Sequence, residues 1–311
     1  MNLATAIPIY NQPHYLKDCL TSLRNQISFQ SNIFLFDDAS ALEYQTIISS
    51  FSDLNISYKR NLSNLGAMRN MEYSFNEVRS KNDYDYLMIL HEDDVLSPIY
   101  FKSIENICEL SKIKPSLVLS FFSENFKDNN CEQVSLDNDL AYKWVNKIEL
   151  VKMFLKGEPI AFGSAIYNTE VYTEYKFDFE KYGEFSDRPF LLNHLNDDDT
   201  ILILTRPLYF LRSHIRSDQR WKLLNSLHVF NLLSLYISIL KKEKNSCISY
   251  YKKYTTAFIM DSYLNLKLSG KKPNLIVYIS MGLLKCQISL KYLLLRNSFI
   301  NQFFTYLLKS S

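Results

Sequence analysis

Four consecutive residues, His91-Glu92-Asp93-Asp94, follow the apolar run Tyr86-Leu87-Met88-Ile89-Leu90 and precede Pro98. Clustered carboxylates at the carboxyl end of a buried strand suit a hard divalent cation, Mg²⁺ or Mn²⁺, carrying phosphate oxygens. A solvated acidic turn is the plainer reading of the same four residues. Further polar groups close other apolar runs: Pro8-Ile9-Tyr10-Asn11, then Asp37-Asp38, then Arg69 after Asn64-Leu65-Gly66. An aromatic ring can stack on a base, a carboxylate can accept a hydrogen bond from a ring N–H, and a cation can hold two phosphates. Together these groups describe a nucleoside diphosphate site.

Such groups meet only if parallel strands deliver them to one edge. Ala4 to Ile9 is a short apolar run, and after Tyr10-Asn11-Gln12-Pro13 the residues Leu16, Cys19, Leu20 and Leu23 recur at helical spacing. Ile33-Phe34-Leu35-Phe36 runs into Asp37-Asp38-Ala39-Ser40, a helical stretch reaches about Phe51, and Ile56-Ser57-Tyr58 follows as a strand. A helix over 67–78 leads to the strand at 86–90. This alternation predicts βαβ units in a doubly wound, mainly parallel sheet with flanking helices up to about residue 122. Beyond it the spacing predicts a helix over 148–155, an apolar segment over 160–167, a charged helix from about Glu184 to Leu195, and late strands at 201–204 and 207–211.

Composition limits the alternatives. The chain has 311 residues, long enough for one large catalytic domain and an appendage. Its glycines never fall two apart, and Gly270-Lys271 is followed by Lys272, so neither a dinucleotide fingerprint nor a P-loop is present. Cys19, Cys108, Cys131, Cys247 and Cys286 show no CxxC spacing and read as thiols in a reducing compartment. No basic segment precedes an apolar stretch at the amino terminus, so a cytoplasmic location is expected. Residues 221–311 carry 13 Lys or Arg against only Glu243 and Asp261, a net +11 that leaves −9 on residues 1–220. Domains are therefore expected at 1–220, with a nucleotide half to about 122 and an acceptor half over 123–220, and at 221–311.

The ordered set Ala6-Ile7-Pro8-Ile9-Tyr10-Asn11, Asp37-Asp38-Ala39-Ser40, Asn64-Leu65-Gly66-Ala67-Met68-Arg69-Asn70 and Leu90-His91-Glu92-Asp93-Asp94 resembles glycosyltransferase family 2 proteins of GT-A fold over about residues 3–215. The resemblance implies an α/β, GT-A-like domain that moves a sugar from a nucleotide-sugar to a hydroxyl with inversion. The donor would be a UDP-sugar, with dTDP- or GDP-sugars as alternatives. It places Pro8, Tyr10, Asp38, Arg69, His91, Glu92 and Asp93 around the nucleotide-sugar. Asp93 becomes the first metal ligand with Asp94 beside it, because His91 stands where the family more often has Asp. His91 either touches ribose or phosphate or is satisfied by backbone. In Glu184-Phe185-Ser186-Asp187-Arg188-Pro189-Phe190-Leu191, Asp187 matches the family's catalytic base, with Glu184 as fallback and a helix cap as the structural alternative. His214, near Arg212 and Arg216, matches a loop that contributes to the metal or the diphosphate.

The basic segment 221–311 mixes Leu, Ile, Phe and Tyr with Lys at helical spacing. It reads as amphipathic helices on an anionic membrane surface, as a homo-oligomer interface, or as an ordinary helical subdomain. A tail of the first kind would hold the enzyme at the inner face of the plasma membrane, near a polyprenyl-diphosphate-linked glycan of surface polysaccharide assembly. No nucleic acid partner is expected. The rival readings are a sugar nucleotidyltransferase, against which stands the lack of a glycine-rich loop near the amino terminus, and a non-catalytic binding protein on a transferase-like fold.

Overall fold

The computed structural model describes residues 1–27, 31–124, 141–212 and 228–240. By its internal contacts the chain divides into two units, Met1–Ile215 and Arg216–Ser311. In the first unit β1 (Leu3–Ile9), α1 (Pro13–Arg24), β2 (Asn32–Asp37), α2 (Gln45–Ser49), β3 (Ile56–Arg60), α3 (Ala67–Arg79) and β4 (Tyr86–Ile89) alternate as the apolar spacing predicts. β1, β2 and β4 are buried almost throughout, which is why they read as continuous apolar runs rather than as alternating ones. Pro13 opens α1, where a missing N–H costs nothing, and Leu16, Cys19, Leu20 and Leu23 form its buried face.

The following elements are β5 (Val95–Leu96), α4 (Tyr100–Ser111), β6 (Leu117–Ser123), β7 (Tyr142–Val145), α5 (Lys147–Lys156), β8 (Ile160–Asn168), α6 (Phe179–Tyr182), α7 (Asp187–Asn193) and β9 (Ile201–Phe210). Strand order is β3-β2-β1-β4-β8-β6-β9-β5, with β7 also on β9. β1 to β4 pair in parallel. β8 runs antiparallel to both β4 and β6, whereas β6 and β9 pair in parallel, so the complete sheet is mixed.

The two late strands expected at 201–204 and 207–211 are one element. Its ladder to β6 jumps from Ser120↔Leu204 to Phe122↔Tyr209; the residues between bow out across Pro207, which has no N–H to give to a ladder. The long helix expected from Glu184 resolves into a 3-10 turn, Gly183–Phe185, and the shorter α7, whose first turn holds Pro189. Asn146 and Glu149 form a capping box that starts α5, and Gly157 ends it in the left-handed conformation.

The second unit is described at α8 (His228–Leu240), where Leu232, Tyr236 and Ile239 are buried. Among the described residues no helix is long and apolar enough to cross a membrane. The predictions made for the rest of 221–311 lie outside the described residues.

Two loops at the carboxyl edge use left-handed backbone: Asn11 at φ 56° after β1 and Ala39 at φ 58° after β2. Asn tolerates this conformation, whereas the β-carbon of Ala39 is crowded there. Ala39→Gly should therefore stabilise the fold by up to about 1 kcal/mol, the relief of strain exceeding the added unfolded-state entropy. Urea denaturation of the two proteins checks the sign.

Candidate active site

The carboxyl ends of β1, β2 and β4 bring the loops after them together. Asn11 joins the first two: its N–H donates to Ser40 Oγ at 3.0 Å, and its side-chain oxygen accepts from Ala41 N and Leu42 N at 2.7 and 3.2 Å. Glu92 joins the first to the acidic segment, accepting from Tyr10 N at 2.7 Å and from the Tyr44 hydroxyl at 3.0 Å. That hydroxyl in turn accepts from Gln12 N at 2.8 Å. Glu92 is thus the buried strut under the Tyr10 loop, and the Tyr10 ring above it is 45% exposed. Pro8 is part-buried within β1.

Both acids of the second loop face inward. Asp37 accepts from Ser40 N and from the Tyr58 hydroxyl, with Arg60 3.5 Å away. Asp38, expected to meet a base, accepts from Asn61 Nδ2, Leu65 N and Gly66 N at 3.1, 2.7 and 2.9 Å. It holds the loop that starts α3, where Gly66 takes φ 85°. Arg69, in the first turn of α3, is exposed. A cation placed there can approach an incoming diphosphate.

His91, Asp93 and Asp94 offer ligand atoms that all lie within 4.8 Å of one another. One imidazole nitrogen and two carboxylates form a donor set that suits Mn²⁺ or Mg²⁺, so the residues present fit the cation that the acidic motif implies. Their exposure differs: Asp93 and His91 are half-buried, whereas Asp94 is 1% exposed. Asp94 Oδ1 accepts from Arg212 N at 3.0 Å and Oδ2 from the Tyr209 hydroxyl at 2.5 Å, with His91 Nδ1 3.4 Å from Oδ2. Arg212 crosses the acidic segment, donating from Nε to Asp93 O at 3.1 Å and from Nη2 to Asp18 at 2.7 Å, while its guanidinium lies 4.5 Å from the Tyr15 ring centre.

Asp187 comes from the other half of the sheet. As the first residue of α7 it accepts from Arg188 N at 2.8 Å. Phe190 anchors this helix against Tyr175 and Tyr167, with ring centres 4.0 and 5.6 Å away, and the Tyr172 hydroxyl donates to Leu191 O. Burial raises the Asp187 carboxyl above the ordinary aspartate range, opposed by Arg188 and, more weakly, by His91. The side chain of Glu184, and His214 with Arg216, lie outside the described residues.

Helix α3 holds the chain that leads to α7. Asn76 pairs with both the N–H and the carbonyl of Tyr175 at 2.9 Å, Arg79 Nε donates to Thr169 O at 3.1 Å, and Glu72 accepts from Phe177 N. Tyr44, Tyr209 and the α3 side chains gave no signal in the sequence, because each acts across a long separation that no local spacing encodes.

Glu92 makes one pH effect specific. Burial pushes its carboxyl up to about 7 against the hydrogen bonds from Tyr10 and Tyr44 that favour the anion. A raised folded-state value means that this group's stabilisation is complete below the unfolded value near 4.5 and is lost as pH rises through 7. In metal-free buffer the melting temperature should fall between pH 5 and pH 8, by the equivalent of up to about 3 kcal/mol. Glu92→Gln should flatten that slope.

Comparison with known proteins agrees with this architecture. Residues 5–132 match the family model described as Glycosyl transferase family 2. A curated relative, "Putative glycosyltransferase EpsH" of Bacillus subtilis (strain 168), is 23% identical over 276 residues, covering 82% of this chain and 74% of its own. Among solved structures, S. aureus TarS 1-349 in complex with UDP superposes with a TM-score of 0.59 at 14% identity, over 88% of this chain and 76% of that one. The same fragment in complex with UDP-GlcNAc gives 0.57 at 13% identity, over 86% and 75%. Against the longer TarS crystal structure the TM-score is 0.56 at 14% identity, and this chain, matched over 85% of its length, spans 44% of that one. Residues 5–132 thus match the glycosyltransferase family 2 model, and the mixed sheet with its flanking helices is similar in fold to the GT-A glycosyltransferase TarS.

Proposed function

We propose that this enzyme transfers a sugar from a UDP-sugar to a hydroxyl of a glycan or polyprenyl-diphosphate-linked glycan, with inversion and with Mn²⁺ or Mg²⁺ at His91, Asp93 and Asp94. The carrying observation is the cluster at the carboxyl end of β4, three ligand side chains with donor atoms within 4.8 Å of one another. The cation, when bound, neutralises charge on the donor's diphosphate. Tyr10 offers an exposed ring for the base, and Arg69 offers positive charge to the phosphates. Asp187 takes the proton from the acceptor hydroxyl as its oxygen bonds to the anomeric carbon; the bond from that carbon to the β-phosphate oxygen breaks, and its electron pair leaves with the nucleotide. Burial of Asp187 makes it a stronger base than an exposed aspartate.

TarS has been crystallised with UDP and with UDP-GlcNAc, so uridine donors are the first to try. A thermal-shift screen of UDP-, dTDP- and GDP-sugars, each with Mn²⁺ and with chelator, tests the reading, since a ligand of the native state raises the melting temperature. A UDP-sugar should raise it only with the cation. No shift with any nucleotide-sugar would overturn the donor assignment. For residues 221–311 the net +11 supports binding to an anionic membrane surface. The full chain should sediment with vesicles containing phosphatidylglycerol and not with phosphatidylcholine alone, and added salt should weaken the contact.

A further inference from the structure

Tyr209 is fully buried, yet its hydroxyl reaches the acidic segment. β5 follows that segment directly and pairs with β9 so that Leu96 stands opposite Tyr209. From that register the phenol ring passes beneath Asp94 and donates to Oδ2 at 2.5 Å. The path is open because residue 163 on β8 is glycine: a β-carbon there would occupy the position of the Tyr209 hydroxyl and would meet Tyr209 Cζ at 3.2 Å and His91 Nδ1 at 3.3 Å. Gly163 therefore serves as a port, and its φ is ordinary, so backbone freedom is not what the position requires.

We infer that Tyr209 is a positioning residue for the cation site, and that Gly163 is the specific vacancy that admits it. The phenol donates to Oδ2 of Asp94 and Arg212 N to Oδ1, and His91 Nδ1 lies 3.4 Å from the same Oδ2. A carboxylate whose orientation is set in this way presents its remaining lone pairs in one direction, as outer-shell partners do for ligands at metal sites. This inference rests on the cation reading given above and adds two residues that no local motif contains.

The test uses the full chain and Mn²⁺, followed by the electron paramagnetic resonance signal of the free ion, with and without UDP. Tyr209→Phe keeps the ring and removes only the hydroxyl; it should weaken Mn²⁺ binding by about tenfold or more while the circular dichroism spectrum stays native. Gly163→Ala, which forces the phenol away, should weaken binding at least as much. In the double variant the hydroxyl that collides with the new methyl group is gone, so adding Gly163→Ala to Tyr209→Phe should cost less than it costs alone, in both Mn²⁺ affinity and melting temperature. Wild-type Mn²⁺ affinity in a folded Tyr209→Phe protein would overturn the positioning role and leave the cation site standing. Additive penalties would overturn the port. Absence of Mn²⁺ binding by the wild-type chain would overturn the cation reading and this inference together.

Discussion

Asp187→Asn should lower kcat for sugar transfer by about 10²–10⁴-fold, the range expected when a positioned general base is removed, while the thermal shift produced by the donor stays near that of the wild type. The side chain keeps its shape, and its oxygen can still accept from Arg188 N, so loss of folding is not the expected outcome. The residual rate should also lose its acid limb. In the wild type only the ionised carboxylate accepts a proton, and burial places its pKa above the ordinary aspartate range; kcat/KM should thus fall as pH drops through that raised value. A variant that keeps full activity would return Asp187 to the role of helix cap.

Asp93→Ala should remove about 10²–10³-fold of kcat, comparable to deleting one major stabiliser of transition-state charge, and should raise the Mn²⁺ concentration needed for half-maximal rate. Its melting temperature should remain close to that of the wild type, because the Asp93 carboxylate is half-buried. Asp94→Ala is expected to behave differently. It leaves the buried Tyr209 hydroxyl and the Arg212 N–H without their acceptor, each at about 1–3 kcal/mol, so this variant should melt markedly lower. Measuring activity and melting together in both variants separates the proposed ligand Asp93 from Asp94, which also holds the fold.

The apolar runs of the first half were legible because β1, β2 and β4 are buried almost throughout and the helices α1 and α3 bury one apolar stripe each; β3, largely exposed, was marked only by its short Ile56-Ser57-Tyr58 run. The second half was harder. β8 runs antiparallel to its neighbours with no local marker, and Pro207 marks the bow of β9 but not that one strand continues across it. Within the site, Asp93, Asp94 and Asp187 could be picked out by residue type and order. The inward turn of Asp38 could not be, since its partners Asn61, Leu65 and Gly66 lie more than 20 positions away. Tyr209 and Gly163 were equally silent, for an ordinary strand tyrosine and an ordinary strand glycine acquire meaning only when β8, β9 and the acidic segment are brought together.

The grip of α3 on residues 169–177 is made from its own side chains to backbone groups: Glu72 to Phe177 N, Asn76 to both polar groups of Tyr175, Arg79 to Thr169 O. A fastening of that kind is indifferent to the identity of the outward-facing positions it holds. Thr173, Glu174 and Lys176 are exposed on the gripped segment, between buried aromatics that fill the space under α7. Substitutions at those three positions should therefore leave the anchorage of the segment unchanged, because none of the bonds that hold it passes through their side chains.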